Sequence, residues 1–108
     1  MHKHEFNFED FIENVKDMDY NDIMNYGNTI VTESESLLKS YHEAGMEVNM
    51  ELKQYSEKIK AFLSFISQGI KPKFISAHDF KLYRIVVEYL VAKEQMKPEA
   101  IDVFIRSK

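Results

Sequence analysis

The chain has 108 residues, a formal net charge of −4 and no cysteine. That length fits one domain and leaves no room for two. The lack of cysteine excludes a disulfide scaffold, a thiolate zinc site and a Cys nucleophile, and it suits a reducing cytoplasm. Three glycines and two prolines are too few turn residues for an all-β protein.

A hydrophobic fraction of 44% with 30% charged residues describes a globular chain. Met1-His2-Lys3-His4-Glu5 lacks the apolar run of a secretory signal, and no window approaches the roughly 18 apolar residues of a membrane span. Residues 1–6 are expected to be disordered. The His-x-His spacing of His2 and His4 suits a transition metal, but a structural zinc site needs four ligands held by the fold, so no metal is expected there.

Helix α1 is expected from Phe8 to Lys16, started by Asn7 as cap with Asp10 three residues on. Phe6 and Phe11 are placed as a hydrophobic staple across that start. Phe8, Phe11, Ile12 and Val15 form its apolar stripe. Helix α2 is expected from Tyr20 to Ala44, capped by Asp19, with Met18 stapled to Ile23 and Gly45 as a left-handed stop. Its inward positions are Ile23, Gly27, Ile30, Ser34, Leu37 and Tyr41. Gly27, Asn28, Thr29 and Thr32 are poor helix formers, so one reading is a kink or break between Gly27 and Thr32. The competing reading is that Gly27 and Ser34 are small because another helix comes close.

Helix α3, from Glu47 to Gln68, has the cleanest rhythm. Val48, Leu52, Tyr55, Ile59, Phe62 and Ile66 alternate spacings of four and three, the seam of helices packed nearly parallel or antiparallel. Gly69 stops it and Pro72 prevents its resumption. Residues 70–75 read as an extended connector. Helix α4, Ala77 to Gln95, is capped by Ser76 with Ile75 stapled to Phe80. It is apolar on most of its circumference and is expected to be buried on several sides. Pro98 suits the first turn of a short α5 ending near Ile105, with Ile101, Phe104 and Ile105 inward. The sum is an all-α, bundle-like five-helix domain over residues 1–108, built on a long antiparallel helical hairpin. At 1.5 Å per residue α2 and α3 are roughly 33–37 Å long, longer than a compact monomer covers, so a homodimer is expected.

Residues 1–50 carry three Lys against eleven acids, and residues 51–108 carry eleven Lys and Arg against seven acids. Such asymmetry lets two surfaces attract each other, within one chain or between copies. On the acidic side Glu9, Glu13, Asp17 and Asp22 form a candidate partner surface. On the basic side Lys58, Lys60, Lys71, Lys73, Lys81 and Arg84 form a candidate patch for nucleic-acid phosphates. An acidic chain without the reading face of a helix-turn-helix unit makes nucleic acid the weaker partner. Met18, Met24, Met46, Met50 and Met96 are either core fillers or an adaptable surface for helical partners.

His42 with Glu43, and His78 with Asp79, are the His/acid neighbours of the interior sequence. Adjacent helical residues point about 100° apart, so neither pair is an assembled acid–base couple. No Glu-x-x-His, glycine-rich phosphate loop or nucleophile elbow occurs. The expectation is a small cytoplasmic, non-enzymatic interaction or regulatory protein without cofactor, working as a homodimer that binds another protein. The alternatives are a nucleic-acid accessory protein using Lys58–Arg84 and an acidic, antitoxin-like inhibitor.

Overall fold

Five α-helices and a short 3-10 turn follow one another in the computed structural model, which describes residues 6–106: α1 (Phe8–Val15), α2 (Tyr20–Glu43), α3 (Met50–Gln68), α4 (Ala77–Ala92), the turn Pro98–Ile101, and α5 (Asp102–Arg106). No strand occurs among the described residues. The expected disorder of residues 1–6 and the His2/His4 pair lie outside them, Phe6 excepted.

Local chemistry sets most helix starts. Asn7 Oδ1 accepts from Glu9 N at 2.7 Å, and Ser76 Oγ accepts from Asp79 N at 3.0 Å. Each satisfies a backbone donor that the first helical turn leaves orphaned. Helix α3 begins later than its rhythm implies. Asn49 Oδ1 accepts from Leu52 N at 3.1 Å, so the cap falls at Asn49, and Val48 stands exposed outside the helix. Gly69, at φ 74°, ends α3 in the left-handed conformation that glycine adopts without strain.

Helix α2 runs unbroken through Gly27–Thr32. Thr29 Oγ1 bonds back to the Asn25 carbonyl at 2.9 Å, which keeps its hydroxyl satisfied inside the helix. The small residue at 27 reflects close approach. A Cβ on Gly27 would lie 2.8 Å from Leu63 Cδ2. Seven residues further along α2, and seven back along α3, are Ser34 and Ser56, both buried. The two helices therefore form the antiparallel hairpin, and at those two levels small side chains let them close together.

Helix α4 runs in the same direction as α3. One turn along both helices leads from the Lys58–Asp79 pair, at 3.2 Å, to the Phe62–Tyr83 rings, at 5.1 Å. Leu82, Tyr83, Val86, Val87 and Leu90 are buried, as the breadth of its apolar face implies. Phe8 of α1 packs on Phe62 and Tyr83, and Phe11 on Phe62 and Tyr26. Phe104 of α5 closes the far side against Phe65 and Phe80. The core is thus a continuous aromatic cluster where α1, α3, α4 and α5 meet, completed by Ile23 and Val31 of α2.

Three side chains expected to face inward do not. Leu37 is exposed, Tyr41 is half-buried and Ile105 is exposed. All three sit where a helix has run past the elements that would cover it. Helix α4 also stops at Ala92, short of Gln95. Glu94 takes φ 62°, and Gln95 N bonds the Leu90 carbonyl at 2.8 Å, closing a left-handed C-terminal turn.

Candidate functional site

The aromatic core occupies one part of the molecule, and the hairpin outruns it. The principal extents are 47 × 28 × 28 Å. Beyond Ser34 and Ser56 the two hairpin helices have little besides each other to pack on. Leu52 is buried there, outside the main cluster, while Leu37, Met46, Val48 and Met50 are exposed. The five internal methionines therefore divide. Met18, Met24 and Met96 pack against the core, whereas Met46 and Met50 decorate the hairpin tip.

The second feature is the connector between α3 and α4. It doubles back along α3 and leaves a groove of ≈ 530 Å³ lined by Phe8, Ala61, Lys58, Lys73, Phe74 and Tyr83 among others. Phe74 on its rim is 89% exposed, the most exposed large apolar side chain described. Ile70, four residues earlier in the connector, is exposed as well. A smaller hollow of ≈ 270 Å³ adjoins, sharing Phe8, Lys58 and Asp79 and adding Glu9, Glu51 and His78.

Within these hollows four charged groups form two pairs. His78 Nε2 lies 3.2 Å from Glu9 Oε1, and Lys58 pairs with Asp79 at 3.2 Å. His78 thus meets a carboxylate from α1, 69 residues away, and not its neighbour Asp79. Both members are well exposed, so the contact is a surface latch and lacks the buried setting in which an acid–base couple is tuned. His42 is exposed near the C-terminal end of α2 and lines neither hollow. Among the described residues no group of three or more His, Cys, Asp or Glu side chains is placed to hold a metal ion. None of their helices is long and apolar enough to cross a membrane.

The candidate basic residues do not form one patch. Lys60 turns to α2, where its bond to Glu35 at 2.9 Å raises the ammonium pKa. Arg84 bonds Glu88 on its own helix at 2.8 Å. Lys71 lies over the Phe80 ring at 4.8 Å. Lys73 stands on the groove wall, and Lys81 is exposed on α4. On the acidic side Glu9 and Glu13 are exposed on α1, Asp17 is exposed in the turn that follows it, and Asp22 lies in the first turn of α2. Glu13 bonds Lys16 at 2.9 Å, and that hydrogen bond raises the Lys16 pKa.

The groove and the exposed Phe74 escaped sequence reasoning, which counted Lys71 and Lys73 of the connector toward a basic patch and gave Phe74 no role. A signal existed: Ile70-Lys71-Pro72-Lys73-Phe74 alternates apolar and cationic residues in a segment that cannot be helical. Comparison with family models, with curated proteins and with solved structures finds no match to the chain.

Proposed function

We propose that this protein acts by binding proteins, including a second copy of itself, through the surface of its helical hairpin, and not by catalysing a reaction. The observation that carries this reading is the hairpin tip. It projects past the core and presents Leu37, Met46, Val48 and Met50 to solvent. Three of them, Met46, Val48 and Met50, fall within five residues, and exposed apolar side chains that form a patch mark interaction surfaces. Methionine suits such a surface because its unbranched thioether adapts to varied partners. The acidic side chains Glu9 and Glu13 of α1, with Asp17 in the turn after it, offer an antitoxin-like protein a second place to meet a basic target.

The nucleic-acid alternative is weaker for an electrostatic reason. Lys58, Lys60 and Arg84 are each already paired with a carboxylate. A phosphate would have to displace those partners before releasing the counterions that drive such binding.

The test is affinity capture from the native source with the wild-type chain and with a Met46→Asp/Met50→Asp variant. Both sites are exposed, so circular dichroism should be unchanged. The wild type should retain a defined partner set that the variant loses. Equal capture by both, or retention of nucleic acid alone, would remove the hairpin-tip reading.

A further inference from the structure

The hairpin tip and the connector are complementary in charge, and the hairpin holds Met46 and Met50 away from the groove of their own chain. Residues 40–52 carry Glu43, Glu47 and Glu51 and no Lys or Arg. The connector, residues 70–76, carries Lys71 and Lys73 and no acid. Both stretches expose apolar side chains: Met46, Val48 and Met50 on the first, Ile70 and Phe74 on the second. Within one molecule the groove sits beside Lys58 and Ala61. Met50 begins the same helix eleven residues earlier, roughly 16 Å away at 1.5 Å per residue. The helix is rigid, so Met50 cannot enter the groove of its own chain, although Glu51 borders the adjoining hollow.

Resting on the self-association part of the reading above, we propose that two copies lie antiparallel about a two-fold axis, each laying its hairpin tip on the other's connector groove. Met46 or Met50 enters between Phe74 and the groove floor formed by Phe8 and Tyr83. A thioether against aromatic rings is a favourable pairing for an irregular hollow. Glu43, Glu47 and Glu51 then face the lysine-bearing connector, with Lys73 on the groove wall. The two-fold arrangement makes this contact twice and leaves no unused patch, so assembly stops at two. It also covers the stretch of hairpin that the core leaves bare, and it gives the segregated charge of the chain a use.

The absence of cysteine makes the test clean. Met46→Cys and Phe74→Cys each introduce a single thiol at an exposed site. When the two variants are mixed and treated with a short bis-maleimide, the mixed product should predominate over either self-linked product. Light scattering of the untreated wild type should give about twice 12.8 kDa. Charge exchange supplies an independent arm. Lys73→Glu or Glu47→Lys alone should weaken the dimer about five- to twenty-fold, from two lost surface pairs plus like-charge contacts. The double variant should recover most of that loss, because each new lysine meets the partner's new glutamate. A dimer whose Met46→Cys chains link mainly to one another overturns the tip-on-groove arrangement while leaving self-association standing. A mass that keeps rising with concentration overturns the closed two-fold form. A mass of 12.8 kDa at every concentration overturns both the arrangement and the self-association on which it rests.

Discussion

Gln95 shows how a single side chain ties the chain's two ends together. Asp19 stands at the cap position of α2 but makes no cap bond itself. Instead the Gln95 amide accepts from Tyr20 N at 2.6 Å and donates to Asp19 Oδ1 at 3.1 Å. One planar amide thus satisfies an orphan donor of α2 and holds the carboxylate beside it. Glu94, in the left-handed region without being glycine, is the local strain that aims Gln95 there. Gln95→Ala is expected to cost about 1 kcal/mol, the usual worth of an N-cap, seen as a lower urea midpoint at unchanged slope. An unchanged midpoint would show that water replaces the amide. Ser56 predicts the opposite sign. Its hydroxyl is buried at 3% exposure with no hydrogen-bond partner. An unsatisfied buried hydroxyl carries a desolvation penalty with nothing to offset it. Ser56→Ala should therefore be neutral or stabilising by up to about 1 kcal/mol, against the usual direction for a buried position.

At the scale of elements, the approach of α2 to α3 decides what Gly27 tolerates. Alanine would gain about 1 kcal/mol of helix propensity over glycine, but its Cβ meets two methyls of Leu63 within 3.0 Å. Those methyls end a flexible side chain, so a small shift can absorb one carbon, and Gly27→Ala should fall within about 1 kcal/mol of wild type. Gly27→Leu has no such escape, and it should cost more than about 2 kcal/mol by forcing the helices apart. Equal stability of the two variants in urea titration would mean that the hairpin is loosely packed there. The same contrast explains what was legible in the sequence. The helices, the caps at Asn7 and Ser76, and the antiparallel hairpin rest on neighbours within a turn, or on a seam repeated over many turns, so their signals survive in one dimension. The Asn49 cap was also local, but Val48 fitted the four-three rhythm and hid it. Leu37 and Tyr41 fitted an apolar period as well, yet whether they are covered depends on where α1 and α4 end in space. The bonds of Gln95 to the start of α2, and of Glu9 to His78, join residues about 70 positions apart and leave no trace in spacing. For the same reason the groove beside Phe74 became visible only once the connector was seen to fold back on α3.

For the molecule as a whole, stability hangs on one aromatic cluster, because the projecting hairpin contributes little to the core. Tyr83 sits at its centre, in ring contact with Phe8, Phe62, Phe65 and Phe80. Burial, and secondarily the nearby Asp79 carboxylate, push its phenol far above the ordinary value of 10.0. Tyr55 is raised in the same direction, chiefly by burial. In the unfolded chain these phenols ionise near their ordinary value, so above that pH the unfolded state releases protons that the folded state still holds. A raised folded pKa is a stabilisation fully present below about pH 10 and lost progressively as the pH climbs beyond it. The urea midpoint should therefore fall steeply on the alkaline side. Tyr83→Phe keeps the ring and all four of its ring neighbours, so its neutral-pH midpoint should stay near that of the wild type. Its alkaline decline should be markedly shallower, because the largest proton-linked difference between the folded and unfolded chains has been removed. Parallel alkaline declines in the two proteins would mean that water reaches the Tyr83 hydroxyl through the groove that this ring lines.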